Sequence, residues 1–308
     1  MKLRVLGTML FVSALGATPA LAQSPGVTGT EVTIGITTPL SGPAAAWSAT
    51  ALGAEAWAKH VNDQGGVHGR KIKIVMKDDG YNPGRALANV NEMKDSVFAL
   101  VGLLGTAVLN ATKDSIADAK LPTIWPYGNP QVYAKQPREK NRTVFMVYPD
   151  YGDEGEFLLQ QAAKLTGAKK VAIFYQNDDY GKGGLEGVKR GVGKLAGAVA
   201  LAGEVSYETA DRELSTHALK IRESGADAVI LYSTVTHSVG IIKEMAKVGY
   251  RPKIFAAFPL GDHTLMFRLL GDLWEGAYYN VTGAVKGEPD ADRIIDILLK
   301  QEPKLKGR

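Results

Sequence analysis

The stretch V-G-L-L-G-T-A-V-L-N, residues 101–110, ends a short apolar run at Gly105-Thr106 and then continues as a segment able to form a helix. A helix that starts there offers free backbone N–H groups and one hydroxyl, which together suit an anion. Thr106 reads as the N-cap, a role compatible with facing a ligand. Other chemistries would need residues that the chain does not supply. A pyrophosphate cradle would need a glycine fingerprint, but the first strand runs into G-I-T-T-P-L-S-G-P, and residues 181–197 hold no G-x-x-x-x-G-K-[ST]. Those glycines are expected to flank or pack a helix. Neither G-x-S-x-G nor H-E-x-x-H occurs, and the five histidines are scattered. Of these, His237 and His263 are candidates only for the wall of a site. The acid pairs Asp78-Asp79 and Asp178-Asp179 follow apolar runs, where a carboxylate usually caps a turn or helix. No catalytic set, metal or cofactor is expected.

The elements that would position such a site alternate regularly. Strands are predicted at 31–37, 71–77, 98–102, 122–126, 143–147, 170–175, 199–207, 227–232 and 253–257. Helices are predicted at 44–63, 83–95, 107–119, 154–166, 183–195, 213–224 and 238–248. Short apolar runs alternating with amphipathic helices argue for parallel sheets covered on both faces. Gly167, Gly225 and Gly249 follow helices, where a left-handed residue ends them, and Pro83 suits a first helical position. About ten strands is too many for one such sheet, so two α/β lobes are expected. The turn at 148–153 is one candidate boundary and the glycine- and proline-bearing stretch 280–287 another. Ligands of open α/β sheets bind outside the carboxyl ends of the strands. Those ends carry aromatic and small polar residues, among them Trp47, Trp125 and Tyr127, which suits a pocket enclosing a small molecule.

Composition narrows the setting. The chain has 308 residues, 45% hydrophobic and 22% charged, enough for about two globular domains. Lys2 and Arg4 precede an apolar run and an A-L-A site ending at residue 22, the pattern of a secretory signal peptide. There is no cysteine, so disulfides and thiolate chemistry are excluded, as is a lipid-modified cysteine after the signal. Export to a periplasm as a protein not embedded in the membrane is expected. The net charge is only +4, two units of it from Lys2 and Arg4, and the other charges are interspersed. That is a solvated surface rather than a nucleic-acid footprint.

The runs I-G-I-T-T-P-L-S-G-P, V-N-D-Q-G-G-V-H-G-R-K-I and D-D-G-Y-N-P are followed by Y-Q-N-D-D-Y-G-K-G and S-G-A-D-A-V. In this order and spacing they resemble the substrate-binding proteins of branched-chain amino-acid ABC transporters, over about residues 30–308. The resemblance implies a type I periplasmic binding fold: two doubly wound α/β lobes, joined by crossovers, that close on a solute. Lobe 1 would comprise 23–147 plus 285–308 and lobe 2 would comprise 148–284, with lobe 1 incomplete because such proteins usually run further. It implies a monomer without catalysis that hands a small carboxylate to a permease driven by ATPase subunits. A ligand-sensing module of the same fold is the alternative, separable only by its partner.

The resemblance places Thr106 at the ligand carboxylate, Tyr127 and Asn129 on a loop at its polar head, and Trp47 as an aromatic wall. Tyr180 would face the ligand from the second lobe, with Asp150 at the hinge. Val235 and Pro259 fall near positions where amino-acid binders place a Tyr and an ammonium-pairing Glu. Asp262 could replace that Glu if its loop shifted. Otherwise the solute need not be an α-amino acid, and an aromatic or aliphatic acid is favoured.

Overall fold

The computed structural model describes residues 24–281 and 283–306. The expected signal peptide lies outside the described residues. The chain first builds β1 (Glu31–Thr38), a 3-10 turn at Ala45–Ser48, α1 (Ala49–Asp63), β2 (Lys71–Asp78), α2 (Pro83–Met93) and β3 (Ala99–Val101). It continues through α3 (Thr106–Asp118), β4 (Thr123–Ile124), the short α4 (Gln131–Ala134) and α5 (Arg138–Asn141), and β5 (Val144–Phe145). These five strands form one parallel sheet in the order β2-β1-β3-β4-β5.

The second sheet follows from α6 (Tyr151–Thr166), β6 (Lys170–Gln176), α7 (Asp179–Lys194), β7 (Ala200–Tyr207), α8 (Ser215–Glu223) and β8 (Ala228–Tyr232). Next come α9 (Val235–Lys247), β9 (Lys253–Ala256), a 3-10 turn at Phe258–Leu260, α10 (His263–Leu270), a 3-10 turn at Gly271–Trp274 and β10 (Tyr278–Tyr279). Its order is β7-β6-β8-β9-β10, again all parallel. Taken in chain order, both sheets therefore read 2-1-3-4-5. The chain then runs into α11 (Pro289–Gln301), which packs on α1 of the first sheet, where Lys59 Nζ meets Glu302 Oε2 at 3.1 Å. At the β5 edge of the first sheet Phe145 and Val147 stand exposed, as do Ile124 of the neighbouring β4 and Trp125 after it.

The local reasons are visible in the residues. All five side chains of β8 are buried, as expected of a central parallel strand covered on both faces. Asn82 caps α2 by accepting from Arg85 N–H at 3.0 Å, with Pro83 at the first helical position. Gly167, Gly225 and Gly249 take the left-handed conformation after their helices.

Several boundaries differ from the sequence expectation. The predicted helix 44–63 opens as a 3-10 turn, and the predicted strand at 122–126 pairs only through Thr123–Ile124. Helix α7 begins four residues earlier than predicted because Asp178 accepts from the N–H groups of Tyr180 and Gly181 at 3.0 and 3.3 Å. Helix α10 and the two-residue β10 were not anticipated. In α10 the start depends on the Asp262 cap; β10 is too short to leave a pattern.

The glycines of 181–197 are mostly inside α7 and bring it against α6. A Cβ on Gly187 would lie 2.0 Å from the Gly152 carbonyl oxygen, and one on Gly184 would strike the Tyr232 ring. Small residues let the two backbones approach as closely as they do, at the expense of intrinsic helix propensity. Gly187→Ala should therefore destabilise the protein by about 1–3 kcal/mol through overpacking. Gly193→Ala, in the same helix with open space around it, should instead gain up to about 1 kcal/mol. Urea unfolding of the two variants checks the contrast.

Candidate functional site

The carboxyl ends of the two sheets face each other across a cleft that holds a cavity of about 270 Å³. Most of the strand-end loops contribute to it. From the first sheet come Trp47 after β1, Tyr81 after β2, Gly105 and Thr106 after β3, and Tyr127 after β4. From the second come Tyr180 after β6, Val235 after β8 and Phe258, Pro259 and Leu260 after β9, while Tyr148 and Tyr151 line it where the chain crosses between sheets. The lobes touch around the cavity. Trp47 Nε1 donates to the Pro259 carbonyl at 2.9 Å, and Asn110 Nδ2 to Asp179 Oδ2 at 2.6 Å.

One end of the cavity is polar. Gly105, at φ 111°, occupies the N-cap of α3, and Thr106 is the first helical residue, so Thr106 is not the cap that the sequence suggested. A Cβ at position 105 would come within 2.7 Å of the Tyr81 ring, a second reason for glycine there. With no side chain capping α3, its first N–H groups have no partner within the helix. Thr106 Oγ1 accepts from the Asn129 N–H at 3.1 Å, which leaves the hydroxyl proton for donation. Tyr180 is 2% exposed, lines the cavity, and its hydroxyl has no hydrogen-bond partner. Desolvation raises the hydroxyl pKa of Tyr81, Tyr127, Tyr148, Tyr151 and Tyr180, keeping these phenols neutral and able to donate.

The remaining wall is aromatic and aliphatic. Trp47 meets Tyr81 edge-on at 5.9 Å, and Tyr148 stands edge-on to Tyr127, Tyr151 and Phe258 at 5.8, 5.9 and 5.1 Å. No Lys, Arg or His is among the lining residues, and the one acid there, Asp262, is exposed. Among the described residues no group of three or more His, Asp or Glu is placed to hold a metal ion.

Six of the eight residues singled out from the sequence line this cavity: Trp47, Thr106, Tyr127, Tyr180, Val235 and Pro259. Asn129 is buried behind Thr106, and Asp150 caps α6 by accepting from Gly152 and Asp153 N–H at 2.8 and 3.1 Å; neither is in the wall. Trp125 is 58% exposed and away from the cavity. His237 is buried against Tyr207 and bonded to Thr234 Oγ1 and the Asp211 carbonyl, and His263 stacks toward Tyr279; both are off the site. Asp178 caps a helix and Asp78 and Asp79 hold turns. Sequence reasoning missed Tyr81, Tyr148, Tyr151 and Phe258, although the first three sit in the D-D-G-Y and Y-P-D-Y turns, where an aromatic is an unusual choice.

It also missed Glu154. This carboxylate is 6% exposed and binds three elements. Oε1 accepts from Phe258 N–H at 2.6 Å and from Asn280 Nδ2 at 2.9 Å, and Oε2 is 2.9 Å from the Tyr232 hydroxyl. Glu154 thus holds the loop carrying Phe258 and Pro259 against α6 and the end of β8. Burial raises its pKa, offset in part by hydrogen bonds from Asn280, Phe258 and Tyr232. A carboxyl with a raised folded pKa binds its proton more tightly in the folded state. Its ionisation therefore removes stability as pH rises from the unfolded value toward the folded one. Glu154→Gln keeps acceptors for Phe258 and Asn280 and should be more stable than wild type at pH 7. That advantage should shrink as pH falls to about 4. Urea midpoints of both proteins across this range check the sign.

The sequence profile of a family described as periplasmic binding protein matches residues 31–296. Leu/Ile/Val-binding protein homolog 3 of Brucella melitensis is 26% identical over 98% of this chain and 80% of its own length. Among solved structures, a fatty acid ABC transporter substrate-binding protein from Thermomonospora curvata superposes with a TM-score of 0.81. It is 24% identical over 92% of this chain and 72% of that one. The branched-chain amino acid transporter substrate-binding protein of Streptococcus pneumoniae, solved with isoleucine, gives 0.76 at 17% identity, covering 89% and 78%. At these identities the two structures speak to the fold.

Proposed function

The chain belongs to the periplasmic binding protein family, and from that premise we propose that it captures a small carboxylate solute between its lobes and delivers it to the permease of an ABC importer. It is a binding protein and not an enzyme, as its named relatives are. No helix among the described residues is long and apolar enough to cross a membrane. The basic and apolar pattern of residues 1–22 supports export to the periplasm, and the family resemblance implies a monomer.

The observation that carries the reading is that the uncapped start of α3, Thr106 with its spare hydroxyl proton, and Tyr180, whose hydroxyl has no partner among the described residues, all line one cavity. The first two come from one lobe and the third from the other. A carboxylate accepting from all three would favour the closed arrangement of the lobes, because only that arrangement brings the donors together. With no basic side chain in the wall, dipoles and hydroxyls would meet the negative charge.

Tyr180→Phe should leave urea stability unchanged within about 0.5 kcal/mol, since the hydroxyl has no hydrogen-bond partner among the described residues. Its affinity for a carboxylate solute should fall by about tenfold or more. Calorimetric titration of the variant against a set of carboxylates tests the reading, and unchanged affinity would remove Tyr180 from the site. Trp47→Phe keeps a ring in the wall but loses the bond to Pro259. It should weaken binding about threefold to tenfold, through faster release, in stopped-flow measurements.

A further inference from the structure

Reading the cavity as a carboxylate site leaves the rest of the solute undefined, and the inference drawn here rests on that reading. We propose that the solute is a monocarboxylate with a compact apolar body, a phenylalkanoate or a branched alkanoate, and that it carries no ammonium group.

The argument starts from the second lobe's wall. Apart from the tyrosines and Asp262, the cavity is faced there by Val235, Phe258, Pro259, Leu260, Leu265 and Met266, all apolar. The loop that carries three of them is pinned at two of its backbone polar groups. Phe258 N–H is held by Glu154 at 2.6 Å, and the Pro259 carbonyl is taken by Trp47 at 2.9 Å. The N–H can only donate and the carbonyl already accepts from Trp47, so the loop offers an ammonium no charged acceptor, and the pinned backbone keeps proline and leucine turned to the solute.

An ammonium withdrawn from water needs a carboxylate partner. Two acids come into question. Asp262 lies in the lining but is exposed, and its Oδ1 accepts the Leu265 N–H at 2.9 Å as the cap of α10. To pair with a buried ammonium through its other oxygen, it would have to be drawn out of solvent into an otherwise uncharged wall. Glu154 is outside the lining, and both its oxygens are occupied by Phe258, Asn280 and Tyr232. An apolar body meets the opposite situation. The rings of Trp47, Tyr81, Tyr148, Tyr151 and Phe258 offer edges and faces around it. An apolar cavity of about 150 Å³ accepts benzene, so about 270 Å³ holds a ring together with a short carboxylate arm.

Matched ligand pairs titrated into the wild-type chain at pH 7 test this. The first pair is 3-phenylpropanoate and L-phenylalanine, which differ only by the ammonium. The second is 4-methylpentanoate and L-leucine, related in the same way. A third comparison sets 3-phenylpropanamide against 3-phenylpropanoate, which removes the negative charge. In whichever pair binds more tightly, the acid without the ammonium should bind at least tenfold better than the amino acid. A ratio below tenfold, or a reversed one, overturns the inference and leaves the carboxylate reading standing. An amide that binds as well as its acid overturns the carboxylate reading, and this inference with it, as does a lack of binding by every compound in the set.

Discussion

Glu154 is the point at which the second lobe, its crossover and the wall of the cavity are tied together. One buried carboxylate accepts from the backbone of the β9 loop and from Asn280 beyond β10, and it meets the hydroxyl of Tyr232 at the end of β8. Burying a charge with only neutral donors around it is costly, and the raised pKa expresses that cost. In return, a loop with little secondary structure of its own is held in one conformation. The aromatic wall follows from it, since Phe258 stands on that loop and packs edge-on against Tyr148. The same loop offers the Pro259 carbonyl that Trp47 reaches from the other lobe.

The rest of the architecture brings that wall opposite an electrostatically different one. Both sheets run in the same order and present the carboxyl ends of their strands to the cleft, so most strand-end loops reach it. The α3 start lies on one side, where backbone N–H groups and the Thr106 hydroxyl are available. On the other side the Phe258 N–H and the Pro259 carbonyl are already engaged, and apart from the tyrosines and the exposed Asp262 the side chains facing inward are apolar. A solute with one charged end and one apolar end fits this division. The close contact of α6 and α7, made possible by facing glycines, supports the second side by holding Tyr151 and Tyr180 near each other at 4.9 Å.

Much of the fold was legible because its determinants are local. Parallel strands covered on both faces read as continuous apolar runs, and Asn82, Pro83 and the left-handed glycines mark helix ends through their own backbone chemistry. The start of α7 was not legible. Its D-Y-G-K-G-G opening is poor helix sequence, and the helix starts there because Asp178 caps it, while the backbone of Gln176 and the ring of Tyr232 leave no room for a side chain at Gly181 and Gly184. Likewise, Thr106 follows a glycine and looks like a cap. The left-handed side of φ available to Gly105 and the nearby Tyr81 ring transfer that position to the glycine.

By itself the sequence determined the class of fold, the loops that would meet in a cleft, and the presence of a hydroxyl at a helix start. These depend on periodicity and on caps within a few residues of one another. Which side chains face the solute was decided only by the tertiary structure. Trp47 and Trp125 are the same residue type on comparable loops, yet one closes the cavity and the other lies on the surface. Glu154 reads as an ordinary acid in the first turn of a helix, where the dipole favours it. Its burial, and its hold on residues more than a hundred positions away, arise from packing between elements, which no local pattern encodes.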